Sequence, residues 1–178
     1  VRVNIPGSDA LDEGDVIINT VGGSFTTGNG GRVSISTVSG SAEADPAGLF
    51  FGDGTTGRSV TFNVGSTGDV LIESEDSITI ERGTTLNVVG GGKLNIQANT
   101  DGLGGGIFNM ATSPTFGDAT IVSDSAHADA ITIVVGTTTG TSNLADISLT
   151  SGGGLSVTQT GGEIVVETRG VITASGAG

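Results

Sequence analysis

Apolar and polar residues alternate along this chain in short bursts, and the bursts recur at a fixed step. Between Asp69 and Ala98 the segment DVLIESEDSITIERGTTLNVVGGGKLNIQA carries four apolar pairs, Val70/Ile72, Ile78/Ile80, Leu86/Val88 and Leu94/Ile96, each starting eight residues after the last. Alternation with period two gives a strand one apolar face. A constant step of eight means that the chain turns after every strand and returns with the same face inward. This predicts an all-β fold, a β-solenoid in which each coil buries its apolar face against its neighbours.

The same grammar extends to both sides. Val1/Val3/Ile5, Val16 to Thr20, Ser24 to Thr27 with Phe25 inward, Val33/Ile35 and Val60/Phe62/Val64 precede the regular stretch. Ile131/Ile133/Val135, Ile147/Leu149, Leu155/Val157, Ile164/Val166 and Ile172/Ala174 follow it. Gly22-Gly23 and GNGG at 28–31 read as turns. Two stretches break the rhythm, and the chain is expected to form one solenoid domain over 1–178 with irregular excursions at about 38–58 and 99–130. The first holds Leu49-Phe50-Phe51, read as a loop covering an edge or as a contact patch. The second is expected to contain a strand at Ala119 to Val122.

Two or three such strands per coil give coils of about 16 to 24 residues, and the pattern leaves that choice open. About eight or nine coils at the interstrand spacing would make a rod roughly 40 Å long. The competing architecture is an antiparallel β-sandwich of pilin type, exchanging a terminal strand with its neighbour. It fits less well, because Asn-Gly and Asp-Gly hairpin turns and large aromatic plugs are scarce.

Composition narrows the core and the partners. The chain of 178 residues has 33 Gly, six Phe and no Cys, Trp or Tyr, so the core is expected to rest on Val, Ile and Leu. Six Lys/Arg against nineteen Asp/Glu give a net charge of −13, which repels nucleic acid and anionic membrane surfaces. No apolar run is long enough to insert in a bilayer as a helix. The chain opens on VRVNIP without Met, and reads as a processed form or an excerpt of something longer.

Motifs with chemical meaning mostly resolve into turns. Gly52-Asp53-Gly54-Thr55-Thr56-Gly57 matches GxGxxG, but the strand-like SVTFNV follows where a dinucleotide site needs a helix. Gly92-Lys93 lacks the Ser or Thr that a phosphate loop places next. Glu73, Glu75 and Asp76 gather at one corner, with His127 in a distant irregular loop and the basic residues scattered singly. Without partner bases, or aromatics to stack on sugars, no catalytic residue is assigned and the chain is read as not an enzyme. Asp9, Asp12, Glu13 and Asp15 form the densest acidic group. It reads first as solvated loop charge and second as a calcium site, since loop carboxylates are hard oxygen ligands. No other cofactor is expected. The outward positions Thr61, Leu71, Thr79, Asn87, Asn95, Ser148 and Ser156 form no regular Thr face of the ice-binding kind.

GNGGRVSIST at 28–37 and GDVLIESEDSITIERGTTLNVVGGGKLNIQA at 68–98 resemble the repeat regions of large bacterial surface proteins, of the filamentous-haemagglutinin-like and β-strand-repeat type. The resemblance covers about half of the chain and is one of repeat style. It implies a secreted, right-handed parallel β-helix at the cell surface, serving as a stalk, an adhesin or an extracellular fibre, and it carries over no catalytic residue. The expected function is thus a structural or adhesive module, either a stalk segment or a subunit polymerising into a surface filament. Partners would be further copies, the continuation of a longer chain, or a glycan on a host or neighbouring cell. Val1, Val3 and Ile5 at one end and Val171 and Ile172 at the other are the expected subunit contacts, with Phe50 and Phe51 as a lateral patch. The alternative is a carbohydrate-active or carbohydrate-binding β-helix, tailspike-like or lyase-like.

Overall fold

The computed structural model describes residues 2–6, 16–38, 48–100, 106–136, 141–144, 147–149, 155–159, 163–166 and 173–174, with side chains over 16–37, 48–100 and 106–136. The described residues contain strands and turns and no helix. The first coil is β1 (Arg2–Pro6), β2 (Val16–Ile18) and β3 (Val21–Thr26). The second is β4 (Arg32–Val38), β5 (Leu49–Phe51) and β6 (Arg58–Asn63). The third is β7 (Asp69–Ser74), β8 (Ile78–Ile80) and β9 (Thr84–Val89). The fourth is β10 (Lys93–Ala98), β11 (Phe108–Met110) and β12 (Thr120–Ser123). The fifth is β13 (Ile131–Val135), β14 (Thr141–Leu144) and β15 (Ile147–Leu149). The sixth is β16 (Leu155–Gln159), β17 (Glu163–Val166) and β18 (Thr173–Ala174).

Every third strand pairs, giving three six-stranded sheets in the orders β1-β4-β7-β10-β13-β16, β2-β5-β8-β11-β14-β17 and β3-β6-β9-β12-β15-β18. All strand pairings within these sheets are parallel. This is a parallel β-helix, and the antiparallel sandwich is excluded. The step of eight is one third of a coil: Val70 starts the first face, Ile78 the second, Leu86 the third, and Leu94 lies directly over Val70 again. Three strands per coil therefore settle the choice between two and three.

The described strands make six coils where eight or nine were expected, a stack about 25 Å long at the interstrand spacing. The shortfall arises because only some coils are minimal. Asp69 pairs with Lys93, twenty-four residues on, whereas Arg32 pairs with Asp69, thirty-seven residues on. The extra residues sit at corners, and strands run through the stretches expected to be irregular. β5 lies within 38–58 and β11 within 99–130, while β12 falls on the strand expected at Ala119 to Val122. A three-residue strand offers too few positions for alternation to be visible. Gly22-Gly23, expected as a turn, lies inside β3, where the register with β6 shifts between Val21 and Gly23 as in a β-bulge.

The core is a column of inward side chains in register. On the first face Val33/Ile35, Val70/Ile72, Leu94/Ile96 and Ile131/Ile133 stack coil upon coil, all essentially inaccessible to solvent. Full burial of each such side chain contributes about 1.5–3 kcal/mol. The core is less purely aliphatic than composition implied, for Phe51, Phe62 and Phe108 are its largest buried side chains. Phe25 stacks on Phe62 with ring centroids 5.5 Å apart, although Phe25 itself is only partly buried in the first coil. A small polar seam borders the first face, where the Thr37 hydroxyl donates to Ser74 Oγ at 2.8 Å.

Candidate functional site

The third coil is short at every corner. Three residues each, at 75–77, 81–83 and 90–92, separate β7 from β8, β8 from β9 and β9 from β10. The second and fourth coils flank it with longer corners, and these meet across the recess. At 90–92 the recess consists of Gly90-Gly91-Gly92. Gly90 and Gly91 have φ values of 93° and 84°, so two successive amides point outward as an anion nest. The Asp124 carboxylate fills it, accepting from Gly90 N at 3.0 Å and Gly91 N at 2.8 Å. Ser125 Oγ then donates to the Gly91 carbonyl at 3.1 Å.

From this anchor the 124–130 loop arches over the glycine corner. His127 Nε2 donates to the Ser66 carbonyl at 2.7 Å, joining the fourth coil's last corner to the second coil's. Lys93 Nζ donates to Asp129 Oδ2 at 2.7 Å, which holds the Asp129 carboxyl below the usual carboxylate range. Beneath the arch, Arg32 and Lys93 both pair in register with Asp69, so a cation–anion–cation column crosses three coils. Arg32 Nε donates to Asp69 Oδ1 at 2.8 Å, and the carboxylate beside it raises the guanidinium's affinity for its proton. A groove of about 440 Å³ results, lined by these side chains with Ser66, Thr67, Gly68 and His127. Its size lies within the range of small-molecule sites.

The neighbouring corner is built differently. Asp53 accepts from Arg58 Nη2 at 2.6 Å, from Thr55 Oγ1 at 2.5 Å and from Asn19 Nδ2 at 2.9 Å. The Arg58 hydrogen bond, followed by that of Thr55, pulls its carboxyl far below the ordinary range. Arg82 Nε donates to the Gly54 carbonyl at 2.8 Å, and its guanidinium lies over the Phe116 ring, 5.2 Å from the centroid. GxGxxG at 52–57 thus lies in a corner leading into β6, and its carboxylate is consumed by structural bonds.

Several sequence candidates find their places. Phe51 is fully buried in β5 and serves the core, so it offers no lateral patch; Phe50 faces outward from the same strand, half-buried. Glu73 projects from β7, and Glu75 and Asp76 form the next corner, where the Asp76 carbonyl accepts from Asn99 N at 3.0 Å. Val3 and Ile5 lie on β1, in register with Ile35 and Thr37. Val1, Asp9, Asp12, Glu13, Asp15, Val171 and Ile172 lie outside the described residues. Among the described residues no group of three or more His, Asp or Glu side chains stands ready for a metal.

The groove was missed because its members are scattered in sequence. Arg32, Ser66, Lys93 and His127 become neighbours only when coils of unequal length are stacked, and single basic residues give no local signal. Knowing the coil boundaries would have sufficed, since Arg32, Asp69 and Lys93 each open a strand of the same sheet. Compared with known proteins, the chain matches no family model, no curated protein and no solved structure.

Proposed function

We propose that this chain is a structural or adhesive module of an extracellular bacterial surface protein, working as a stalk segment or as a subunit of a surface filament. One observation carries the reading: three parallel sheets run the length of the stack, with β1, β2 and β3 at one end and β16, β17 and β18 at the other. Each end strand has a neighbour on one side only among the described strands. An unpaired parallel edge is a template for another strand, and the coil that fits it is another coil of the same kind. The first coil supports this, since Val16, Ile18 and Phe25 point toward the core yet stay partly open, and Ile17 and Val21 are 61% and 73% exposed. The repeat style of 28–37 and 68–98 supports a surface location. The partner is a second copy or the continuation of the same chain.

Electron microscopy and light scattering of the purified chain test the proposal. Thin filaments, or a mass rising with concentration, are expected, and Val3→Lys with Ile5→Lys should abolish the growth. A chain that stays monomeric at every concentration, with both ends intact, overturns the filament-subunit form. Unchanged growth in the double variant overturns β1 as the contact.

A further inference from the structure

We propose that the groove lined by Arg32, the 66–69 corner, Lys93 and His127 binds a neutral saccharide unit. The argument starts from its charge balance. Two of the six Lys/Arg residues and the single His lie here, in a chain of net charge −13. Arg32 is bridged to Asp69, and Lys93 to Asp129. The groove therefore holds strong donors and strong acceptors side by side with no net charge from these pairs. An incoming anion would compete with Asp69 and Asp129 for their cations while being repelled by the whole chain. An incoming cation would have to displace Arg32 or Lys93.

A hydroxyl group suits such a surface because it donates and accepts at once. It can give its proton to a carboxylate and take one from an ammonium without parting the pair. Hydrogen bonds to ionised partners are roughly twice as strong as neutral ones, so adjacent hydroxyls on one ring could engage several of them together. Ser66 and Thr67 add side-chain hydroxyls on the rim, both exposed. The volume of about 440 Å³ accommodates one or two sugar rings. The corner's shape is fixed before any ligand arrives: Asp124 ties the loop to the glycine amides and His127 ties it to Ser66. This preorganisation lowers the cost of binding. No aromatic side chain lines the groove, so the sugar's apolar face gains no stacking and affinity per site is weak. A repeated module can compensate for weak sites through multivalency. The inference goes beyond coil stacking and stands without it.

Saturation-transfer NMR on the full chain tests this, because it reads ligand protons whatever the assembly size. The probes are glucose, galactose, mannose and N-acetylglucosamine, with glucuronate as the anionic arm. At least one neutral sugar should bind saturably with Kd on the order of 1–10 mM. Lys93→Met should weaken it about tenfold by removing a charge-assisted bond, and Thr67→Val should weaken it less while leaving thermal stability unchanged. Three results overturn the proposal: no saturable transfer to any neutral sugar, glucuronate binding more tightly than all four, or affinity unaltered in both variants. A monomeric chain that binds sugar would uphold this site while rejecting the filament.

Discussion

The third and fourth coils carry the same three faces by different means. Residues 69–92 close a ring with three-residue corners, and nothing in that ring is spare. Residues 93–130 build the same faces with corners of nine, nine and seven residues, and the strands still fall in register with Val70, Ile78 and Leu86. Length at a corner is therefore invisible to the core. The corners at 111–119 and 124–130 reach back over the short coil: Asp124 caps Gly90 and Gly91, and the Gly117 carbonyl accepts from Gly83 N at 2.9 Å. Regularity provides the recess and irregularity provides the walls.

If the short coil is held by its column of apolar side chains, the largest effect will come from that column. Leu86→Ala should cost about 2–5 kcal/mol of stability in urea denaturation, since Leu86 is fully buried between Val60 and Ile121 in the register. A loss below about 1 kcal/mol would mean that stacking is looser than the register implies.

A smaller effect separates a clamped corner from an open one. Gly83 has φ of 68°, and a Cβ there would lie 2.7 Å from the Phe116 carbonyl oxygen and 2.9 Å from that of Thr55. Gly117 on the long coil has φ of 84° with nothing near its Cβ position. Both Gly→Ala changes carry the left-handed backbone cost of about 1–2 kcal/mol, and Gly83→Ala should cost about 1–3 kcal/mol more through strain. Equal losses in thermal denaturation would show that the flanking loops do not close on Gly83.

The smallest effect belongs to the loop's ion pair. Hydrogen bonding from Lys93 lowers the folded-state pKa of Asp129 below its unfolded value. Its contribution is therefore complete above the unfolded carboxylate range, about pH 4, and disappears as pH falls through the lowered folded value. Because Asp129 is 57% exposed, solvent screening limits this to about 0.5 kcal/mol or less. Asp129→Asn should lie below the parent by that margin at pH 7, and the two should converge in acid. A constant gap at all pH values would assign the difference to packing.

The fold was legible where the corners are short. Val70, Ile78, Leu86 and Leu94 report one full ring because no insertion separates them, and Ile147, Leu155 and Ile164, on β15, β16 and β17, keep nearly the same step. Leu49–Phe51 and Phe108–Met110 were not recognisable as strands, because only the coil beneath each one supplies its register. The groove was illegible for the same reason on a larger scale. Its charges are brought together by the sum of several corner lengths, and no local pattern encodes a sum.

The parallel stacking also shapes how the chain can fold. On the first face between β4 and β16, each ladder closes a loop of either twenty-four or thirty-seven residues. The difference in closure entropy between those lengths is only about 0.4 kcal/mol. Long and short coils are thus almost equally easy to add, and no single long-range pairing dominates the search. A finished coil gives the next one a ready edge, so order can spread from residues 69–92 in both directions, as crystals grow from a seed.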